Sequence, residues 1–161
     1  LSSLKQFGMK HLITFALFTI IGTVAFAQNR TASSNTYKTA VGIKVWDGAG
    51  ANLKTFVDDK SALEFTGFFW RYGTRITGLY EIHGDLNTDG NLKWYIGAGA
   101  HVNLYKGYTA GGIDGVIGLD LKLPNAPLDF ALDWQPALEL GSGSRNGFYG
   151  NWGGFAIRYT L

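Results

Sequence analysis

Residues 128–140 read LDFALDWQPALEL, and their alternation constrains the fold more than any other feature of the chain. Leu128, Phe130, Leu132, Trp134, Pro136, Leu138 and Leu140 fall on one face. Asp129, Ala131, Asp133, Gln135, Ala137 and Glu139 fall on the other. A period of two marks a β-strand with unlike faces. The same period runs through almost all of the chain after residue 36, where no sustained helical period appears. Pro136 is awkward in such a strand, because proline donates no ladder hydrogen bond. The alternation keeps its phase across it, so no added residue is expected in that strand. Pro136 is expected near the height at which the strand leaves the apolar band.

Eight strands can be read in order. The first covers 37–46, with Val41, Ile43 and Val45 against Gly42 and Lys44. Asp47, Gly48, Ala49 and Gly50 then read as a turn. The second strand, 52–57, carries the weakest pattern. The third covers 62–70 and the fourth 75–83. The fifth, 92–105, alternates cleanly from Leu92 to Tyr105. The sixth covers 112–123, and Pro124 to Pro127 turn the chain into the seventh, 128–140. The eighth covers 151–161. Connections are short at 47–50 and 71–74 and modest at 106–111 and 142–150. Neighbours joined this way run antiparallel. A tilted strand crosses a bilayer in about 9–11 residues. Eight is also the smallest usual strand number of a closed membrane barrel.

Alternation alone does not say which face is inside. A soluble barrel of the lipocalin kind turns its apolar face inward around an apolar ligand. A membrane barrel turns that face to lipid and its polar face to the lumen. The polar face here mixes charge with mid-strand glycines such as Gly42, Gly97, Gly99, Gly118 and Gly154. Glycine weakens a water-facing strand, but it makes room in a crowded lumen of eight strands. Aromatic residues gather on the apolar face near one end: Tyr37, Trp94, Phe130 and Tyr159. They read as the periplasmic half of an aromatic girdle, with Phe69 the best candidate for the outer half. The fold expected is therefore all-β, an eight-stranded antiparallel up-and-down transmembrane β-barrel over 37–161.

The first 27 residues read as an export signal. Lys5, Lys10 and His11 precede an apolar run from Leu12 to Ala27, which ends Ala25-Phe26-Ala27 before Gln28. That is the small-x-small pattern of a signal-peptidase site. The run, of about 16 residues, is shorter than the ~20 a spanning helix needs. Residues 1–8 read as an upstream extension, and 28–36 as a polar lead. Without residues 1–27 the chain carries 12 basic and 12 acidic side chains and is formally neutral. Charge therefore gives no reason to propose nucleic acid as a partner. Cysteine is absent, which excludes a disulfide scaffold and thiolate chemistry.

GLYEIH, KWYIGAGAH, GIDGVIGLDLKLPNAPLDFALDWQPAL and the closing GGFAIRYTL resemble a family of small outer-membrane β-barrel proteins of Gram-negative bacteria. They are of the size class of the OmpA transmembrane domain and OmpX. The similarity covers about residues 37–161. It implies an outer-membrane location with both termini periplasmic, contact with outer-membrane lipid, and handling by the outer-membrane insertion machinery. Such proteins commonly end in phenylalanine; this chain ends in Leu161, with Tyr159 two before it.

The lumen set expected from the polar face is Lys44, Lys54, Glu64, Glu81, His83, Lys93, His101, Asp114, Asp120, Lys122, Asp129, Asp133, Glu139 and Arg158. Charges in a narrow barrel lose solvation and must pair, so a packed ion-pair network that plugs the lumen is expected. A narrow proton or ion path is the sharper alternative. A lipid-modifying enzyme would need a serine beside histidine and carboxylate, and no serine shares the face of strands four to six. No catalytic residue, metal ligand or cofactor is assigned. The loop 142–150, with Arg145, Phe148 and Tyr149, is the candidate contact loop. The expected role is structural or interactive, as a subunit docked to a larger outer-membrane complex. The soluble, secreted lipocalin-like barrel is the other class.

Overall fold

A computed structural model describes residues 37–86, 91–141 and 146–161. Among these residues, ten strands lie within one compact unit. They are β1 (Thr39–Val45), β2 (Ala49–Phe56), β3 (Ser61–Trp70), β4 (Gly73–Asp85), β5 (Leu92–Tyr105), β6 (Tyr108–Lys122), β7 (Leu128–Trp134), β8 (Ala137–Leu140), β9 (Gly147–Tyr149) and β10 (Gly153–Thr160). β7 and β8 are two halves of one wall strand, and so are β9 and β10. All pairings are antiparallel, and β1 on β10 with β5 on β6 closes an eight-stranded barrel. The signal, its cleavage residues Ala25 and Ala27, and the polar lead lie outside the described residues.

The register fixes the shape of the closure. Stepping from partner to partner from Leu92, the path runs through Leu121, Phe130, Ile157, Ile43, Ala51, Gly67 and Ile76. It returns to β5 at Val102, ten residues along the same strand. Ten residues at ~3.3 Å each, set against eight strand spacings of ~4.8 Å, correspond to a tilt of about 40°. That closure leaves an interior only wide enough for interlocking side chains. Every residue on this path lies on the outward face, and none is polar.

Strand bounds depart from the sequence reading where turn chemistry misleads. Ala49 and Gly50 read as turn but pair with Phe69 and Phe68 of β3. The segment 106–111 reads as a loop but is a two-residue turn, Lys106-Gly107, between paired Tyr105 and Tyr108. Gly107 holds φ +94°, which glycine alone adopts freely.

Pro136 interrupts one side of its strand and not the other. Against β6 the register is continuous, with Ile117 facing Trp134, Asp114 facing Ala137, and Gly115 N–H donating to the Pro136 carbonyl at 2.9 Å. The strand therefore keeps its phase. The extra residue sits in the partner. Trp134 faces Gly153, while Ala137 faces Tyr149, so residues 135–136 oppose residues 150–152. This is a β-bulge, placed where proline supplies no N–H. Gln135 N–H still reaches the Trp152 carbonyl at 3.0 Å. The other bulge carbonyls find side-chain donors: Trp134 Nε1–H reaches Gly150 O at 2.7 Å, and Trp46 Nε1–H reaches Asn151 O at 2.8 Å. Replacing either donor by phenylalanine keeps the ring and removes the bond. Trp46→Phe and Trp134→Phe should each lower the unfolding free energy by about 1 kcal/mol, measured by denaturant unfolding in detergent; unchanged midpoints would show the indoles to be passive.

Candidate functional site: the buried charge network

The two faces point opposite ways to those of a lipocalin-like barrel. Outward lie Val41, Ile43, Phe65, Ile76, Tyr80, Ile96, Ile117, Leu132 and Ile157, all exposed. Inward lie Lys44, Lys54, Glu64, Arg75, Glu81, Asp114, Asp120, Asp129, Asp133, Glu139 and Arg158, all buried. Among the described residues, the interior is lined mainly by charged, polar and small side chains.

The buried charges form one linked set through the lower and middle lumen; the lower rim is the one with Thr39 and Thr160. Arg158, on β10, binds Glu64 of β3 across the lumen at 2.6 Å and Asp129 of β7 at 2.8 Å. Its Nε also donates to Asn52 Oδ1. Lys44 meets Glu64 at 3.0 Å and Asp133 at 2.6 Å. Lys54 meets Glu81 and Asp120, each at 2.8 Å, and its ammonium lies 4.2 Å from the Tyr95 ring centre. Tyr95 donates its hydroxyl to Asp133 at 2.8 Å. Small residues make room for this. A Cβ on Gly118 would come within 2.5 Å of Tyr95 Cζ, and one on Gly154 would strike the Lys44 side chain.

A second cluster lies nearer the upper rim. Arg75 pairs with Asp114, whose other oxygen is 2.7 Å from His101 Nδ1. Gln135 donates to Asp114 at 3.1 Å, and Asn103 to Glu139 at 2.6 Å. Between the clusters is a void of about 10 Å³, lined by Lys44, Thr66, Phe68, Arg75, Thr77, Gln135, Trp152 and Gly153. It is about the size of one water.

Rings cross the lumen near each rim. Below, Tyr37 packs edge-on to Phe56 at 5.3 Å, Phe56 against His83 at 4.9 Å, and His83 stacks on Tyr95 at 5.1 Å. Above, Trp152 packs edge-on to Phe68 at 5.8 Å and Trp70 at 5.5 Å, and Trp70 on Tyr105 at 5.9 Å. Arg75 lies over the Trp152 ring at 4.5 Å.

Twelve of the fourteen lumen residues read from sequence are buried inside. The other two sit at the lower rim. Lys93 pairs with half-exposed Asp85 at 2.6 Å. Lys122 turns onto the Leu123 and Ala126 carbonyls at 2.7 and 2.8 Å, capping its turn. Arg75 was absent from the set although it shares its face with Thr77, Glu81 and His83. Tyr95, Asn52, Asn103 and Gln135 carry no charge and so are not marked by it, and neither is Trp152, which shares the inward parity of Gly154 and Arg158.

The girdle needs one correction. Trp94, Phe130 and Tyr159 lie on the outer face, Tyr159 half exposed. Tyr37 instead folds inward, its hydroxyl 3.5 Å from Asp120, because it precedes β1 and is not held to the alternation. The upper rim is richer than expected, with Trp46, Phe69, Tyr72, Tyr108 and Phe148 all exposed. Phe148 and Tyr149 belong to β9, not to a loop, since they pair with β8; Arg145 lies outside the described residues.

No family model, curated protein or solved structure matches this chain.

The network sets the cost of disturbing it. Arg158→Met leaves Asp129 without a cation and Glu64 with Lys44 alone, and breaking such a buried pair costs about 3–5 kcal/mol. Lys93→Ala removes a rim pair with Asp85 59% exposed, and should cost less than about 1 kcal/mol. Denaturant unfolding of the two variants should show that order; equal losses would contradict it.

Proposed function

We propose that this chain is a small outer-membrane β-barrel of a Gram-negative bacterium, with a lumen filled by its own side chains and a structural or interaction role. The observation that carries the reading is the pairing of an outward apolar belt with an inward ion-pair network. In water that arrangement leaves large apolar area exposed. In lipid the belt is solvated, and the closure of β1 on β10 and β5 on β6 pairs the wall strands with one another, as a membrane requires. Exposed aromatic side chains near both rims fit the two interfaces.

The filled interior favours a structural role over conduction. Ring contacts cross the lumen near both rims, and the void between the clusters is water-sized. The turns at residues 46–48, 71–72 and 106–107 are too short for a large adhesive surface. A partner would meet the flank of the barrel or the upper rim, where Phe148 is 68% exposed. This supports a subunit seated beside a larger outer-membrane protein, delivered by a cleaved signal and the outer-membrane insertion machinery.

The reading predicts recovery in the outer-membrane fraction and a band whose mobility on a denaturing gel shifts on heating. It also predicts no steady current in planar bilayers. Recovery as a soluble periplasmic protein would overturn the membrane assignment. Steady channels altered by Asp120→Asn would overturn the filled lumen.

A further inference from the structure

Near the upper rim, three neighbouring buried side chains each keep one polar atom without a hydrogen-bond partner. His101 and Asn103 are successive inward residues of β5, and Glu139 reaches them from β8; Gly112 of β6 pairs with both His101 and Glu139. All three side chains are buried. Asn103 Nδ2 donates to Glu139 Oε2 at 2.6 Å, and His101 Nε2 lies 3.9 Å from that same oxygen. The Tyr105 hydroxyl also donates to Oε2, at 3.3 Å. Among the described residues, His101 Nε2, Asn103 Oδ1 and Glu139 Oε1 have no hydrogen-bond partner. Buried polar atoms ordinarily find one.

The far side of the imidazole sets its tautomer. Nδ1 is 2.7 Å from Asp114 Oδ2. Arg75 Nη2, a donor only, lies 3.1 Å from the same nitrogen, but the carboxylate contact is the shorter and a carboxylate only accepts, so Nδ1 gives its hydrogen to Asp114 and Nε2 keeps its lone pair. A carboxylate behind the ring is how metal-ligating histidines are held. Arg75 binds the other oxygen of Asp114 and fixes that carboxylate. Asp114 and Glu139 against Arg75 leave one negative charge at this end of the lumen. Gly112 completes the cradle. A Cβ there would fall 2.5 Å from His101 Cε1 and 3.0 Å from Glu139 Cα, so any side chain would push the ring out of place.

We propose that His101 Nε2, Glu139 Oε1 and Asn103 Oδ1 form a site for one divalent transition-metal cation, of which Zn²⁺ and Mn²⁺ are the probes of choice. One imidazole nitrogen with two oxygens suits such ions better than Ca²⁺, which takes six to eight oxygens. Among the described residues no three His, Cys, Asp or Glu side chains are set for a metal; the third donor here is an amide oxygen. A proton on Nε2 is the rival occupant, but that N–H would have to reach Glu139 Oε2 across 3.9 Å, beyond hydrogen-bond length. The assignment stands independently of the membrane reading.

The test uses the protein purified in detergent and stripped by chelation. Residues 28–161 hold two histidines, His83 and His101, so His83 is the internal control. Substoichiometric Mn²⁺ should broaden the His101 ring resonances before those of His83. Zn²⁺ should raise the thermal unfolding midpoint saturably, and chelator should reverse it. Glu139→Gln is the same size and keeps an oxygen for Asn103 and Tyr105; it should weaken Zn²⁺ binding at least tenfold with the heat-shifted gel band retained. Equal broadening of both histidines, no midpoint shift with Zn²⁺, or a Glu139→Gln variant that binds as tightly as the wild type would overturn the site. Should that variant fail to fold, the wild-type resonances decide.

Discussion

The Arg158 guanidinium ties β10 to β3, a strand with which β10 shares no backbone pairing. It leaves β10, crosses to Glu64 on β3, and takes Asp129 on β7 with another nitrogen. A charge buried in so narrow an interior has no water to solvate it, so its place is set by its partners. Lys44 shares Glu64 with it, and Lys44 in turn holds Asp133, to which Tyr95 donates. Removing Arg158 leaves Asp129 without a cation and Glu64 with Lys44 alone. The register of the barrel and this network specify one another: with a shear of ten residues, a one-residue slip would turn charged side chains outward.

The bulge opposite Pro136 shows how a local defect is put to use. Proline withholds one ladder donor, and strand eight takes an extra residue at that height. The shift of phase lets Phe148 face outward above the bulge while Trp152 turns inward below it, under Arg75. Two further indoles, from Trp46 and Trp134, close the carbonyls that the bulge exposes. One irregularity thus contributes to both the outer surface and the upper ring contacts.

Much of this was legible in the sequence, for a plain reason. A strand with unlike faces writes its environment into every second residue, and 92–105 does so without a break; β5 has those bounds. The charged lumen residues followed from parity alone. What failed followed from tertiary context. Tyr37 precedes β1, so parity did not govern it. Ala49 and Gly50 are small, yet pairing with β3 draws them into a strand. The bulge depends on register between two strands, and neither strand's own pattern records it. Arg75 stood at a strand start, where a rim position and a lumen position look alike. Asn103 lacks charge, so nothing in its type marks it as part of a charged lumen.

Nitroxide labels placed singly from residue 75 to residue 83 of β4, in protein reconstituted into lipid vesicles, test the central claim most directly. Accessibility to lipid-soluble oxygen and to a water-soluble paramagnetic reagent is read at each site. The account predicts a period of two: positions 76, 78, 80 and 82 open to oxygen and closed to the aqueous reagent, and positions 75, 77, 79, 81 and 83 closed to both. Aqueous access on the even positions would contradict the lipid-facing belt, and aqueous access on the odd positions would contradict the filled lumen.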